Sequence, residues 1–302
     1  MRTVYLGTSP FAAAVLRALA DGPHRPVLVV TRPDRPRGRG RRLAAPPVAE
    51  TARELGLELA QPPSVNEPEA RARIAAAAPD VLVVCAFGAL IKEPLLSDHE
   101  VLNVHPSLLP RWRGAAPVER AIMAGDARTG VCIMRLTAGL DTGPVALRGE
   151  EPIAPGDTYG TLAERLERLG SRLLIEALDA GRGGLHFQEQ SEEGVTYAEK
   201  ITAEDRLLDP AAEAAESLER RVRALTPHIG AALLLPGGER LGVWSAEAGP
   251  STGGPPPGDL DLAASPPLLG CRDGSTLALI EVQPAGGRRM DAAAWARGRA
   301  RR

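Results

Sequence analysis

An amide, an imidazole and a carboxylate stand out in the middle of the chain. The segment 101–117 reads VLNVHPSLLPRWRGAAP, and the segment 139–143 reads GLDTG. Asn103 and His105 are two residues apart in an apolar run, so in a strand their side chains point to the same face. Asp141 is flanked by residues typical of a turn. The three side chains predict a proton-transfer site that uses no metal.

Each of these residues also has a structural interpretation. A single histidine at the end of a strand can be a hydrogen-bonding residue of the core, and the turn around Asp141 can be only a turn. The spacing by itself therefore leaves both a catalytic and a structural role open.

Apolar strands and amphipathic helices alternate along the first 180 residues, and these elements must position the three side chains. A strand at 3–7 is followed by Ser9, a suitable helix cap, and a second strand covers 27–31. This β–α–β opening predicts a parallel sheet with a right-handed crossover. Ligands bind at the carboxyl ends of the strands in such sheets, where the strand 101–104 places Asn103 and His105. The same pattern predicts strands at 81–86, 130–136 and 145–150, and helices near 46–56, 67–77, 115–124 and 158–180.

The pattern changes after about residue 185. A helix near 210–224 is followed by short strand-like runs that Gly/Pro stretches separate, among them GPSTGGPPPG at 249–258. Short strands with turn signals favour a small β-barrel. We predict a Rossmann-like, mostly parallel α/β domain at 1–188, a linker at 189–206 and an OB-like β-barrel domain at 207–302.

Composition excludes several classes of protein. The 302 residues are 44% hydrophobic, but no apolar run is long enough to cross a bilayer, and the first residues do not resemble an export signal. Cys85, Cys132 and Cys271 lie far apart among apolar residues, which favours buried thiols in a reducing compartment. The loop GTSP after the first strand lacks the GxGxxG pattern of NAD and FAD sites. We therefore expect a cytoplasmic protein.

Positive charge is concentrated in two places, although the net charge is −2. Residues 32–42, RPDRPRGRGRR, carry six arginines and one aspartate, and residues 297–302, RGRARR, carry four arginines. Such clusters bind phosphates without sequence specificity. The alternative is a solvated charged loop. The glycines and prolines of residues 32–42 predict a mobile loop.

An ordered set of motifs resembles the folate-dependent formyltransferase family over nearly the whole chain. Besides NVHPSLLPRWRGAAP and GLDTG, it includes PDRPRGRGRRL, GDTYGTL, TYAEKI and QPAGGRRM. The resemblance is greatest to the branch that formylates initiator tRNA. It implies transfer of a formyl group from 10-formyltetrahydrofolate to the methionine α-amine of initiator Met-tRNA. It also implies that Asn103 and His105 donate to the developing oxyanion, and that Asp141 orients His105 and accepts a proton through water.

The resemblance also implies the binding residues. The folate would contact a groove at Phe87, Gly88 and Leu90, the loop residues Ser107, Leu108, Leu109 and Pro110, and Asp141. For Phe87 and Leu90, core packing is the alternative. The tRNA would contact arginines of the two domains, with Arg39 at the acceptor stem. These arginines are Arg35, Arg37, Arg39, Arg41, Arg42, Arg288 and Arg289. We expect a monomer.

Three other functions fit part of the sequence. A formyltransferase acting on glycinamide ribonucleotide has a single domain, so residues 32–42 and 206–302 argue against it. A sugar-nucleotide formyltransferase should lack RGRGRR. A non-catalytic RNA-binding protein would not need Asn103, His105 and Asp141 together.

Overall fold

The computed structural model describes residues 1–37, 42–251 and 253–299, with only the backbone of Arg37, Arg42 and Arg182. The chain divides into two compact units. The N-terminal unit comprises Met1–Pro117, Arg128–Pro152 and Ala163–Glu199, and the C-terminal unit comprises Val118–Ala127, Ile153–Leu162 and Lys200–Arg302. The limits 1–188, 189–206 and 207–302 stay a prediction.

Strands and helices alternate up to residue 199. In chain order these elements are β1 (Thr3–Gly7), α1 (Pro10–Asp21), β2 (Leu28–Val30), β3 (Arg35–Arg37), β4 (Arg42–Ala44), α2 (Pro47–Glu54), β5 (Leu59–Ala60), α3 (Pro68–Ala76), β6 (Val81–Cys85), α4 (Leu95–Asp98), β7 (Val101–His105), β8 (Arg113–Gly114), α5 (Pro117–Ala124), β9 (Arg128–Arg135), β10 (Val145–Pro152), α6 (Tyr159–Gly184) and β11 (Tyr197–Ala198).

The main sheet of the N-terminal unit has, within the described residues, seven strands in the order β10-β9-β7-β6-β1-β2-β5. The five strands from β7 to β5 run parallel. The sheet extends from β1 towards β2 on one side and towards β6 on the other. A crevice is therefore expected at the carboxyl ends of β1 and β6, the usual ligand site of such sheets.

Local chemistry explains the opening of this unit. The strands β1, β2, β6 and β7 consist of buried residues, as continuous apolar runs in a two-sided parallel sheet should. Ser9 caps α1, since its side chain accepts a hydrogen bond from the Ala12 amide at 3.2 Å, and Pro10 occupies the first helical position. The chain thus turns sharply from β1 into α1 beside the crevice.

Two features of this unit differ from a purely parallel sheet with open loops. Strand β9 is antiparallel to β7 and to β10. Residues 136–144, which connect β9 to β10, are too few for the crossover that a parallel pair needs. At the two ends of the segment 32–42, β3 and β4 pair as an antiparallel ribbon, and the mobility expected for this segment stays a prediction. Pro36 suits this extended backbone.

The C-terminal unit contains a curled half-barrel sheet. Its elements beyond residue 200 are β12 (Leu207–Leu208), α7 (Ala215–Leu225), β13 (Ala231–Leu234), β14 (Arg240–Gly249), β15 (Leu260–Asp261), β16 (Leu268–Gly270), β17 (Thr276–Pro284), β18 (Met290–Asp291) and α8 (Ala292–Arg299). Among the described residues the strand order is β12-β13-β14-β17-β16-β15, and β18 pairs with β17. Leu218, Val222 and Leu225 of α7 pack into its core. The predicted fold class is confirmed for both units.

The helices of the described residues include no segment whose length and apolar character would allow it to cross a membrane. The three cysteine thiols are free and buried, as expected from their apolar neighbours.

Candidate active site

Asn103 and His105 lie on β7, a strand paired on both sides. Asn103 is in register with Val84 of β6 and Met134 of β9. The alternation of a strand directs both side chains to one face, and both line a cleft of about 530 Å³ in the N-terminal unit. The exposed fraction is 7% for Asn103 and 4% for His105, so hydrogen bonds made here are little weakened by water.

His105 is oriented by the backbone of Trp112. The Nε2 atom of His105 lies 2.9 Å from the Trp112 carbonyl oxygen. Trp112 has φ of +64°, a left-handed conformation that is unusual for a bulky residue and turns this carbonyl towards the imidazole. A carbonyl only accepts, so Nε2 carries a hydrogen and the Nδ1 atom is left for the cleft.

Asp141 faces that second nitrogen. Its Oδ2 atom lies 3.7 Å from Nδ1 of His105 and accepts a 2.8 Å hydrogen bond from the Gly114 amide. Asp141 is 9% exposed and has φ of +49°. A Cβ atom added to Gly143 would lie 1.9 Å from the Arg135 carbonyl oxygen, so only glycine allows this close return of the loop. The loop between β9 and β10 thereby holds a buried carboxylate beside the imidazole.

A second set of residues supports this geometry, and no role was predicted for them from the sequence. Gln190 donates from Nε2 to the carbonyl oxygens of Asp141 and Gly143, both at 2.7 Å. Its Oε1 accepts from Nε and Nη2 of Arg113 at 3.0 and 2.8 Å. Thr196 accepts from the Trp112 amide through Oγ1 at 2.9 Å. No local pattern distinguishes Gln190 from other polar residues of the connector, whereas Thr196 opens the motif TYAEKI.

The folate-binding residues predicted in the loop after β6 border the same cleft. Phe87, Gly88 and Leu90 line it together with Asn103, His105 and Asp141. Phe87 is 5% exposed, whereas Leu90 is 65% exposed. Leu90 is therefore no core residue, and Phe87 serves as both core and cleft wall.

Side chains from other parts of the N-terminal unit hold this loop. The Thr8 hydroxyl donates to the Phe87 carbonyl at 2.7 Å, and the Asn66 amide donates to the Leu90 carbonyl at 2.8 Å. The loop is thus anchored through the carbonyl groups of Phe87 and Leu90.

The loop after β7 carries four of the predicted folate contacts. Ser107, Leu108, Leu109 and Pro110 lie outside the lining of the cleft, which includes Pro106. Ser107 is fully buried and its hydroxyl donates to the Arg111 carbonyl at 2.6 Å, and Leu109 packs with Cys132, Met134 and Val145. These two side chains face the interior because alternate positions of the loop anchor it to the core. Contact of the four residues with folate stays a prediction.

Known proteins resemble the chain over nearly its full length. Residues 1–178 match the formyl transferase family, and residues 200–300 match the formyl transferase C-terminal domain. The methionyl-tRNA formyltransferase of Dechloromonas aromatica is 44% identical over 96% of this chain and 93% of its own. That of Thiobacillus denitrificans is 45% identical over 99% and 97%. The chain belongs to the formyl transferase family.

A solved structure extends the likeness to the fold. HypX from Aquifex aeolicus, in complex with tetrahydrofolic acid, aligns with a TM-score of 0.65 at 18% identity. The alignment covers 98% of this chain and 46% of HypX, so the chain spans about half the length of that protein. At this identity the likeness concerns the fold alone. The resemblance drawn from the motifs to the formyl transferase family is confirmed by the family matches.

The predicted tRNA-binding arginines of this formyl transferase differ in their surroundings. Arg35 is exposed on β3, and Arg37 and Arg42 are paired through their backbones. Arg39 and Arg41 lie outside the described residues. In the C-terminal unit Arg288 and Arg289 are both exposed, and the Arg289 guanidinium carbon lies 3.3 Å from the centre of the Trp244 ring. Arg289 also donates to the Pro227 carbonyl at 3.1 Å, so its charge is held in place on the surface.

The described residues contain no group of three or more His, Cys, Asp or Glu side chains arranged to bind a metal ion. What the site offers is an amide, an imidazole with a free Nδ1 position and a carboxylate, around one cleft. These groups can stabilise an oxyanion and move protons at a carbonyl carbon.

Proposed function

We propose that this protein transfers the formyl group of 10-formyltetrahydrofolate to the α-amine of methionine carried by initiator tRNA. The observation that carries the proposal is the convergence of the buried side chains of Asn103, His105 and Asp141 on one cleft, in a chain that is 44% identical to a methionyl-tRNA formyltransferase. The products are formylmethionyl-tRNA and tetrahydrofolate. We also propose that the enzyme works as a monomer in the cytoplasm and uses no metal.

The reaction requires one bond to form and one to break. The amine nitrogen attacks the formyl carbon, and the carbonyl oxygen gains negative charge in the tetrahedral intermediate. The carbon–nitrogen bond to the folate then breaks. The amine loses one proton and the folate nitrogen gains one, so protons and electrons balance without a redox partner.

Each residue has a role that its surroundings allow. The Asn103 amide donates to the developing oxyanion, a contribution that is typically worth 10²- to 10³-fold in turnover, about 3–4 kcal/mol. His105, held by Trp112 through Nε2, presents Nδ1 as the second donor. Asp141, at 3.7 Å from Nδ1, stabilises the imidazolium and accepts the amine proton through water. The buried setting strengthens each of these interactions.

The cleft has the properties that a folate needs. Its volume of about 530 Å³ is in the range of small-molecule sites, and apolar side chains such as Leu90, Ile91 and Leu136 line it. Backbone groups of the loop 87–91 offer hydrogen-bond partners to the edge of a pterin ring. The formyl carbon would then lie between Asn103 and Asp141.

The positive charge of two arginine clusters supports tRNA as the acceptor. The six arginines of residues 32–42 follow β2, at the ligand edge of the sheet, and can neutralise phosphates of an acceptor stem. Arg288 and Arg289 of the C-terminal unit offer a second set of phosphate contacts. A small acceptor such as an amino-sugar nucleotide would need neither cluster.

Three acceptors separate the candidate functions. Purified protein is given formyl-folate with initiator Met-tRNA, with glycinamide ribonucleotide or with an amino-sugar nucleotide, and the N-formyl product is measured. We expect formylation of Met-tRNA alone. The matched control is N-acetylmethionyl-tRNA, which has the same tRNA and no free amine. Formylation of either small acceptor in preference to Met-tRNA would reject the proposed function.

A further inference from the structure

We infer that Gln190 is a positioning residue of the formyl transfer, because it sets the place of the Asp141 carboxylate and of the backbone that holds His105. The inference rests on the proposed function. Gln190 does not line the cleft, and so it is not a catalytic residue. It lies in the connector after α6, 49 positions from Asp141 in sequence.

The first part of the argument is the loop that bears Asp141. The two hydrogens of the Gln190 amide go to the carbonyl oxygens of Asp141 and Gly143, both at 2.7 Å. These bonds bracket Thr142 and fix the loop where Asp141 adopts its left-handed φ of +49°. A residue in that conformation persists only where its surroundings hold it, and Gln190 provides two of the bonds that do so.

The second part is the segment at residues 112–114. Gln190 accepts two hydrogen bonds from Arg113, which is only 5% exposed, so two N–H groups of a buried guanidinium depend on this amide. On either side of Arg113, the Trp112 carbonyl contacts His105 and the Gly114 amide donates to Asp141. A shift of Arg113 therefore moves both contacts at once.

The amide orientation has only one consistent solution. Two carbonyl oxygens face one end of the Gln190 amide and two N–H donors of Arg113 face the other, so nitrogen and oxygen cannot be exchanged. Both N–H donors of the amide group are used in these hydrogen bonds. Gln190 thus joins the loop that carries Asp141 to the segment that orients His105.

The decisive variant is Gln190→Glu, which keeps the size and the acceptors for Arg113 but places a carboxylate oxygen against two carbonyl oxygens. We expect kcat to fall by about 10- to 100-fold, as for a small misplacement of catalytic groups, and KM for both substrates to change by less than about twofold. Protonation of the introduced carboxylate restores a donor, so the ratio of variant to wild-type kcat should rise as pH is lowered towards about 5. A residue that only stabilises the fold would lower Tm and leave that ratio constant.

Two further variants complete the test. Gln188→Glu is the matched control, since Gln188 is exposed on the same connector, and its kcat should stay at the wild-type value. Gln190→Met removes the hydrogen bonds without adding charge. It should lower kcat at every pH. If Gln190→Glu does not fold, Gln190→Met tests the inference in its place.

A kcat of Gln190→Met within about twofold of wild type, or a pH-independent ratio for folded Gln190→Glu, would overturn the inference. All variants are assayed on the acceptor that the wild-type protein formylates. If that acceptor is not Met-tRNA, the proposed function fails while the comparison at Gln190 still decides the inference.

Discussion

The Nδ1 atom of His105 lies 3.7 Å from the Oδ2 atom of Asp141, and each of the two side chains is held by its own hydrogen bond to the backbone. The Trp112 carbonyl fixes Nε2 of His105, and the Gly114 amide fixes Oδ2 of Asp141. The gap between them is too long for a direct hydrogen bond. A water molecule or the reacting amine in the cleft can therefore contact both groups from the side and exchange a proton with either.

The proton-transfer pair should be essential for turnover. We expect His105→Ala and Asp141→Asn each to lower kcat by about 10²-fold or more, because each removes a group that moves or stabilises a proton. Circular dichroism and Tm should show that both variants fold. Asp98→Asn changes an exposed aspartate and serves as the control. Near-normal turnover of either folded variant would contradict the assignment.

Asn103 should act on the transition state and not on binding. In Asn103→Leu the oxyanion loses its amide donor, so kcat should fall by about 10²- to 10³-fold while KM changes little. Steady-state kinetics with Met-tRNA and formyl-folate varied separately would measure both. If KM for folate rose and kcat were kept, Asn103 would be a binding residue.

Glu167 should make stability depend on pH. Burial, with repulsion from Glu164, raises the pKa of the Glu167 carboxyl to about 7, although Arg168 opposes the shift. Between pH ~4.5 and ~7 the folded protein therefore binds a proton that the unfolded chain does not, and the free energy of unfolding falls as pH rises through this range. Glu167 is only partly buried, and with solvent screening we expect a loss on the order of 1 kcal/mol.

Urea unfolding at about pH 5 and about pH 8, on either side of this range, tests the prediction. Glu167→Gln should lose less stability than wild type between the two values, since it has no charge to bury. Glu176→Gln, an exposed glutamate of the same helix, should behave like wild type. An equal pH dependence in Glu167→Gln and wild type would show that other groups cause it.

The arginine cluster should bind the acceptor and not the folate. In the double variant Arg39→Ala, Arg41→Ala, KM for Met-tRNA should rise. The slope of log KM against log salt concentration should become smaller by about 1.8, because two fewer phosphates are neutralised. Folate affinity should be unchanged. Alanine substitutions at Arg17 and Arg73, which pair with Glu54 and Glu58, are the control. Equal changes in KM for both substrates would indicate a structural role for the cluster.

Much of the fold was decided by local patterns in the sequence. Continuous apolar runs predicted β1, β6 and β7, and helical periodicity predicted α6, because these elements bury residues close together in the chain. The alternation of a strand was enough to place Asn103 and His105 on one face. The turn composition GLDTG located the carboxylate. Such features depend on a few neighbouring residues, so they can be predicted without knowledge of the rest of the molecule.

Tertiary structure decided how these groups are held. The tautomer of His105 depends on the Trp112 carbonyl, and the place of Asp141 depends on Gln190, a residue of the distant connector with no motif of its own. The burial of Leu109 likewise follows from packing against residues of β9 and β10. The physical reason is that a hydrogen bond or a packed side chain needs a partner at a definite distance, and only folding brings residues from distant segments to that distance.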